Sequence, residues 1–183
     1  MAGGLLRARG ALRALLAAIE AHRGDRILEL DDALVRDAAA RCGAPEDAVR
    51  AVLTEELDGR FPRLLRGAPA APGVLALIAT CDRLGLPRVV FSDHPALKKL
   101  AVRGEQAGWT AVISGRRLGA LKPSPDGLWA VAATLGVPLA SVLHVGDRWE
   151  TDGLAAAEAG AVFAHVDDVG WWCDRLLRSI SEP

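Results

Sequence analysis

The sequence holds few of the features that mark secreted, membrane-bound or nucleic-acid-binding chains. Its three cysteines, Cys42, Cys81 and Cys173, stand far apart without a CxxC pair. That argues against a disulfide framework or a zinc site and for reduced thiols in a cytoplasmic setting. Although 51% of the residues are hydrophobic, no uninterrupted apolar run approaches the roughly 18 to 20 residues a membrane span needs. Neither charge dominates: 22 Lys and Arg face 23 Asp and Glu, which leaves no basic groove for nucleic acid and no charged face for a membrane surface. There is no internal repeat and no low-complexity segment. Arg7, Arg9 and Arg13, with few acids around them, superficially resemble a transit peptide, but no apolar stretch of secretory length follows. A small molecule or another protein is the partner to expect.

At 183 residues the chain suits one compact domain with an insertion, built around one sheet. Leu12, Leu15, Leu16 and Ile19 fall at i, i+3, i+4 and i+7, which predicts a core-facing helix over about 8–22. Further helices are expected to open at Asp31 or Asp32 and after Ala44-Pro45-Glu46, with Gly43 as the stop between them. Gly67-Ala-Pro-Ala-Ala-Pro72 then breaks the chain, and residues 7–66 read as a helical region separate from 67–183. Beyond the break, a helix over 74–84 leads into the apolar run 87–91. Similar runs follow at 110–113, 141–145 and 161–166, with helices at about 96–107, 124–135, 151–159 and 171–179. That alternation means right-handed crossovers and a parallel sheet covered on both faces.

In such sheets, sites form beyond the carboxyl ends of the strands. Phe91 is followed by Ser92-Asp93, Val145 by Gly146-Asp147-Arg148-Trp149-Glu150-Thr151-Asp152-Gly153, and Leu121-Lys122-Pro123 lies between them. A hydroxyl, an ammonium and a pair of carboxylates suit phosphoryl transfer, the first two holding phosphoryl oxygens and the carboxylates a magnesium ion. Each residue also has a plainer reading. Ser92 and Asp93 could cap the helix after them, and Asp152 the helix through Leu154. Asp147, straight after a strand, needs a partner if it is buried.

These segments resemble the haloacid dehalogenase superfamily, over roughly Pro72 to Asp168 with cap-like helical sequence before it. Ser92 matches the second motif, Lys122 the third, and Gly146-Asp147 with Asp152 the GDxxxxD form of the fourth. Thirty residues separate Ser92 from Lys122, and 25 separate Lys122 from Asp147. The resemblance implies a three-layer Rossmann-like α/β core with a small helical cap. It also implies magnesium-dependent hydrolysis of a small phosphorylated metabolite through an aspartyl-phosphate. Asp147 would be a direct metal ligand, while Asp152 would support the metal or orient Lys122. Ser92 and Lys122, with Asp93 beside them, would bind the phosphoryl group.

The family's first motif, a strand ending in DxDx(T/V), has no match here. The best local alignment sets Met1-Ala2-Gly3-Gly4-Leu5-Leu6 over it, with Met1 where the nucleophile belongs. Asp31, in Ile27-Leu-Glu-Leu-Asp31-Asp32, is a second and weaker candidate. In the family the missing strand lies centrally, between those carrying the second and fourth motifs, so its loss exposes two rows of backbone donors and acceptors. An upstream start, a partner chain or second copy completing the sheet, or direct pairing of the flanking strands would each answer this. As it stands the chain should be inactive in the family reaction. The rival to a phosphatase is a non-catalytic relative acting as a binding or assembly subunit. A phosphoacceptor receiver domain fits less well, because there the Lys comes last.

Other residues carry weaker signals. His94 and Trp149 could line a pocket or simply pack. His144, inside an apolar strand, reads as a satisfied core histidine, and Arg116-Arg117 as a solvated loop. Trp171-Trp172 could cover a sheet edge or a dimer contact.

Overall fold

The computed structural model describes residues 2–178, with side chains from residue 8 onward. The chain opens with α1 (Ala2–Ala21), α2 (Leu30–Cys42) and α3 (Glu46–Val52). A π-helical segment, Leu53–Arg60, then runs into α4 (Phe61–Leu64). There follow α5 (Val74–Leu84), β1 (Val89–Ser92), α6 (Ala96–Arg103), β2 (Ala111–Ser114) and α7 (Gly115–Leu118). The rest is α8 (Asp126–Leu135), β3 (Leu143–Gly146), a π-helical turn at Trp149–Gly153, α9 (Leu154–Ala159), β4 (Val162–His165) and α10 (Val169–Arg178). Ser179, the expected end of the last helix, lies outside the described residues, as does Met1. The segment Ala2–Leu6, which aligns with the missing strand motif, is the first turn of a helix.

By contacts the chain divides into two units. The first comprises Met1–Gly67, Ser92–Gln106 and Ser114–Leu121; the second comprises Ala68–Phe91, Ala107–Ile113 and Lys122–Pro183. Two segments that the sequence assigns to the 67–183 region therefore belong with the helices of the first unit.

The first unit's core forms where α1, α2, α3 and the π-helical segment pack together, around Leu15, Ile19, Leu34, Val35, Val49 and Leu53. The buried stripe of α1 differs from the expected one. Leu15 and Ile19 are inside, but Leu16 is 46% exposed, and Ala11, Ala14 and Ala18 complete the buried face. Those alanines fall at i, i+3 and i+7, so a narrow, smooth ridge meets α2. Gly43 ends α2 in the left-handed conformation, φ 68°, with its N–H on Ala39 O. Glycine reaches that region without the steric cost other residues bear.

Arg116, expected in a solvated loop, is only 5% exposed. It sits in α7, and its guanidinium donates to both oxygens of Asp31 at 2.7 and 2.8 Å and to both of Asp58 at 2.7 and 3.2 Å. Asp58 comes from the π-helical segment, so one cation ties three elements together. Burial lowers the pKa of Arg116, but the bonds from the two carboxylates outweigh that and raise it. Arg117, its neighbour, is exposed.

In the second unit, β3 and β4 pair in parallel from Leu143↔Val162 to Gly146↔His165. Leu128 of α8 packs with Ala155, Ala156 and Ala159 of α9, and Leu77 of α5 with Val169 and Cys173 of α10. The fold is an α/β, Rossmann-like arrangement, but the expected single sheet is divided. β1 pairs with β2, β3 pairs with β4, and among the described residues no ladder joins the two pairs. Of the strand residues, Ser114, His144 and Ala164 are buried and the others are not. Strands of a complete parallel sheet are normally buried on both faces, whereas among the described residues these form only two-stranded ladders.

Removing one partner of a buried ion pair costs about 3 to 5 kcal/mol. Asp31 is half exposed, so Arg116→Met is expected to lose less, about 2 kcal/mol, in urea unfolding, with Arg117→Met near wild type. Equal midpoints for the two variants would show that the Asp31–Arg116–Asp58 cluster contributes no stability.

Candidate active site

The second unit presents an ion pair at the end of β3. Lys122 Nζ lies 2.5 Å from Asp152 Oδ1, with the two side chains 12% and 6% exposed. His144, buried in β3, donates from Nε2 to the same oxygen at 3.3 Å. The main-chain N–H of Arg148 donates to Asp152 Oδ2 at 3.2 Å. Burial alone would raise the pKa of Asp152, but the bonds from His144 and Lys122, and their charge, overcome it and hold the carboxyl well below its usual range.

The local chain path makes this possible. After β3 the backbone turns through the π-helical residues 149–153, where the N–H groups of Thr151, Asp152 and Gly153 all point to Arg148 O. The extra residue in the turn swings Asp152 back over the strand end. Gly146 is required there, because a Cβ would overlap the Asp152 side chain. Gly153 makes room for the Trp149 ring in the same way. Trp149 packs edge-on against Phe163 at 5.5 Å and is still 55% exposed. The helix after the turn is capped by Gly153 with no side-chain hydrogen bond. Asp152 is therefore not a helix cap: it holds Lys122.

Lys122 also lies over the Phe91 ring, 5.1 Å from its centroid. Phe91 in turn meets His144 at 6.0 Å. The expectation that His144 is a core histidine with a satisfied ring is correct in burial, but its partner is a residue of the site.

Asp147 is exposed, and its carboxylate has no partner among the described residues. The buried, partner-requiring carboxylate that its place after a strand suggests is not what forms. Its main-chain oxygen accepts from His165 Nε2 at 3.1 Å, which anchors the loop to β4. Among the described residues no group of three or more His, Cys, Asp or Glu side chains could hold a metal. Asp147 offers one exposed carboxylate at this strand end, and a hard oxygen donor of that kind is compatible with a magnesium ion; the side chains present do not complete a metal site by themselves. They do not assemble a two-carboxylate site, because Asp152 is engaged by Lys122 and His144.

In the first unit, Ser92 ends β1. Its Oγ accepts from the main-chain N–H of His94 and from Lys99 Nζ, each at 3.3 Å. The residue capping α6 is Pro95, so Ser92 is not the helix cap. Neither is Asp93, which is 8% exposed and accepts from Arg23 Nη1 at 2.8 Å, while its main-chain oxygen accepts from Arg116 N. Asp93 thus organises the loop after β1. His94 is half buried against Phe61, ring centroids 6.2 Å apart. Burial and the nearby Lys99 lower its pKa to about 4, so the imidazole is neutral near pH 7. Ser114, which ends the strand paired with β1, has a buried hydroxyl with no partner among the described residues.

Sequence reading missed Lys99, Phe61 and Arg23. Arg23 meets Asp93 across 70 residues, a separation that carries no local signal. Asp31, the weaker nucleophile candidate, has both carboxylate oxygens on Arg116, which lowers its reactivity toward phosphorus.

The sequence profile of the haloacid dehalogenase-like hydrolases matches residues 2–160, and the chain belongs to that family. No curated protein matches the sequence. Solved structures similar in fold include a HAD phosphatase from Thermococcus onnurineus, at 20% identity and TM-score 0.50, covering 68% of this chain and 71% of that one. A protein from Haemophilus somnus described as a predicted phosphoglycolate phosphatase aligns at 16% identity and TM-score 0.56, over 85% and 77%. A hydrolase from Pseudomonas syringae aligns at 19% and 0.54, over 85% and 76%.

A carboxyl whose folded pKa is depressed stabilises the protein fully above its unfolded value of about 4, and that contribution fades as pH falls toward the folded value. Between about pH 5 and about pH 3, the wild type should therefore lose more of its urea midpoint than Asp152→Asn. Parallel losses would mean that Asp152 is not held in its charged form.

Proposed function

We propose that the chain is a phosphatase-type member of its family that binds a small phosphate ester, with Lys122 of the second unit neutralising phosphoryl oxygens. The observation that carries this reading is the buried Lys122–Asp152 pair. Two donors and a main-chain N–H fix the carboxylate, and the carboxylate fixes the ammonium. A lysine held in this way keeps its ammonium in one place and loses little freedom when an anion arrives. His144 reinforces the arrangement from the strand below. Magnesium, when bound at Asp147, supplies a positive charge that offsets that of the phosphoryl group.

Turnover needs an attacking carboxylate, and no motif in this sequence provides one in the family's manner. The proposed activity of the chain alone is thus phosphate-ester binding without hydrolysis. In that form it is a non-catalytic binding or assembly subunit. The divided sheet favours this second reading, because β1 and β3 each keep an edge on which a strand from a second copy or a partner chain could pair.

The chain with and without magnesium can be assayed for binding and hydrolysis of p-nitrophenyl phosphate. Binding that tightens with magnesium, weakens about tenfold or more in Lys122→Ala, and comes with no release of phenolate is expected. Turnover that disappears in Asp31→Ala would identify Asp31 as the nucleophile and overturn the binding-only reading. Absence of binding in any condition would overturn the phosphate reading itself. Sheet completion has its own readout. If a second copy supplies the strand, sedimentation shows a dimer, and hydrogen exchange at β1 and β3 slows as it forms. A monomer at all concentrations, with rapid exchange in both strands, would exclude the second copy.

A further inference from the structure

Trp149 is 55% exposed, in a loop where Asp147, Arg148 and Glu150 beside it are exposed as well. Its ring meets Phe163 edge-on at 5.5 Å, and its indole N–H has no partner among the described residues. An indole in that state keeps both an apolar face and a hydrogen-bond donor turned to water, where a ligand that carries a ring can take the water's place.

The ring is nevertheless held in place. Gly153 backs it, since a Cβ there would fall 2.2 Å from Trp149 Cε3, and Phe163 of β4 supports its edge. The main chain entering Trp149 is fixed from both sides. The Arg148 N–H donates to Asp152 Oδ2 at 3.2 Å, and the Arg148 oxygen accepts from the N–H groups of Thr151, Asp152 and Gly153 at 3.3, 2.7 and 3.3 Å. A tryptophan has only two side-chain torsions to restrain, so a ring supported in this way loses little freedom when another ring stacks on it. Asp152 also connects this loop to the cation. One of its oxygens holds Lys122, and the other holds the N–H of the residue before Trp149. The ammonium and the indole are thus placed at the end of β3 by a single carboxylate, within the second unit.

We infer that Trp149 is a specificity-determining residue: its open indole face stacks on a planar aromatic group in the alcohol part of a phosphate monoester whose phosphoryl group lies at Lys122. The inference rests on the proposed phosphate-ester binding and names the class of ester, one that carries an aryl ring or a nucleobase. An aliphatic alcohol of similar size offers no π face to the indole and gains less from it.

Titration calorimetry on the full chain with magnesium tests this, using p-nitrophenyl phosphate, adenosine monophosphate, glycerol phosphate and inorganic phosphate. Trp149→Ala and Trp149→Phe are compared with Trp171→Ala, which removes an exposed tryptophan of α10, and urea midpoints are recorded for each to exclude misfolding. The wild type is expected to bind an aromatic ester about tenfold or more tightly than glycerol phosphate. That ratio should fall to near one in Trp149→Ala, recover in part in Trp149→Phe and keep its wild-type value in Trp171→Ala. A preference for p-nitrophenyl phosphate alone, or for adenosine monophosphate alone, supports the stacking and identifies the kind of ring. If glycerol phosphate binds as well as both aromatic esters, or if the preference survives in Trp149→Ala, Trp149 does not select the substrate and the phosphate site stands. If the wild type binds none of the four, the phosphate reading falls and the role of Trp149 falls with it.

Discussion

A buried carboxylate has to be matched by donors, and at Asp152 that requirement organises the second unit. Three groups meet it: the ammonium of Lys122, the ring of His144 and the N–H of Arg148. Each arrives from a different stretch of chain, and each would be left without its partner if the π-helical turn relaxed into an ordinary α-turn. The turn is kept because an unmatched charge in that position costs several kcal/mol, on the order of what a buried pair loses when one partner is removed. Gly146 and Gly153 follow from the same demand, since a side chain at either would fill space taken by Asp152 or Trp149.

The elements were legible where the signal was local. The helix over 74–84 and the capping by Gly43 and Pro45 form as their sequences indicate, because periodicity and turn chemistry act over a few residues. Ser92, Lys122, Asp147 and Asp152 were legible as motif residues, and the Lys122–Asp152 pair forms. Asp152 pairs with Lys122 rather than capping a helix, which composition could not have told. What escaped was whatever depends on distant carboxylates. Arg116 reads as a surface residue until Asp31 and Asp58, 85 and 58 residues away, are brought beside it. Leu16 fits a helical stripe on spacing alone, but the alanines of α1 occupy the buried face.

The divided sheet has a different origin. β-branched runs specify strands, and the second unit has them, yet a strand is stabilised by its neighbours rather than by its own residues. β1 and β3 each find one neighbour, and the half-exposed state of Val89, Val90, Leu143 and Val145 is the result. Local sequence cannot report this, because each run looks complete when read by itself.

The same gap bears on chemistry. A phosphatase of this kind must hold the phosphoryl group, offset its charge and attack it, and these tasks fall on different residues. Holding and offsetting call for donors and cations, and Lys122 is held in place by Asp152 within its own unit. Attack rests on a carboxylate that must be partly unpaired to be nucleophilic. Asp31, Asp93 and Asp152 are each bound by a cation. A carboxylate matched by a cation in this way is a poorer nucleophile than a free one. Binding and hydrolysis therefore make separate demands on a chain of this fold, and a measurement of one says nothing about the other.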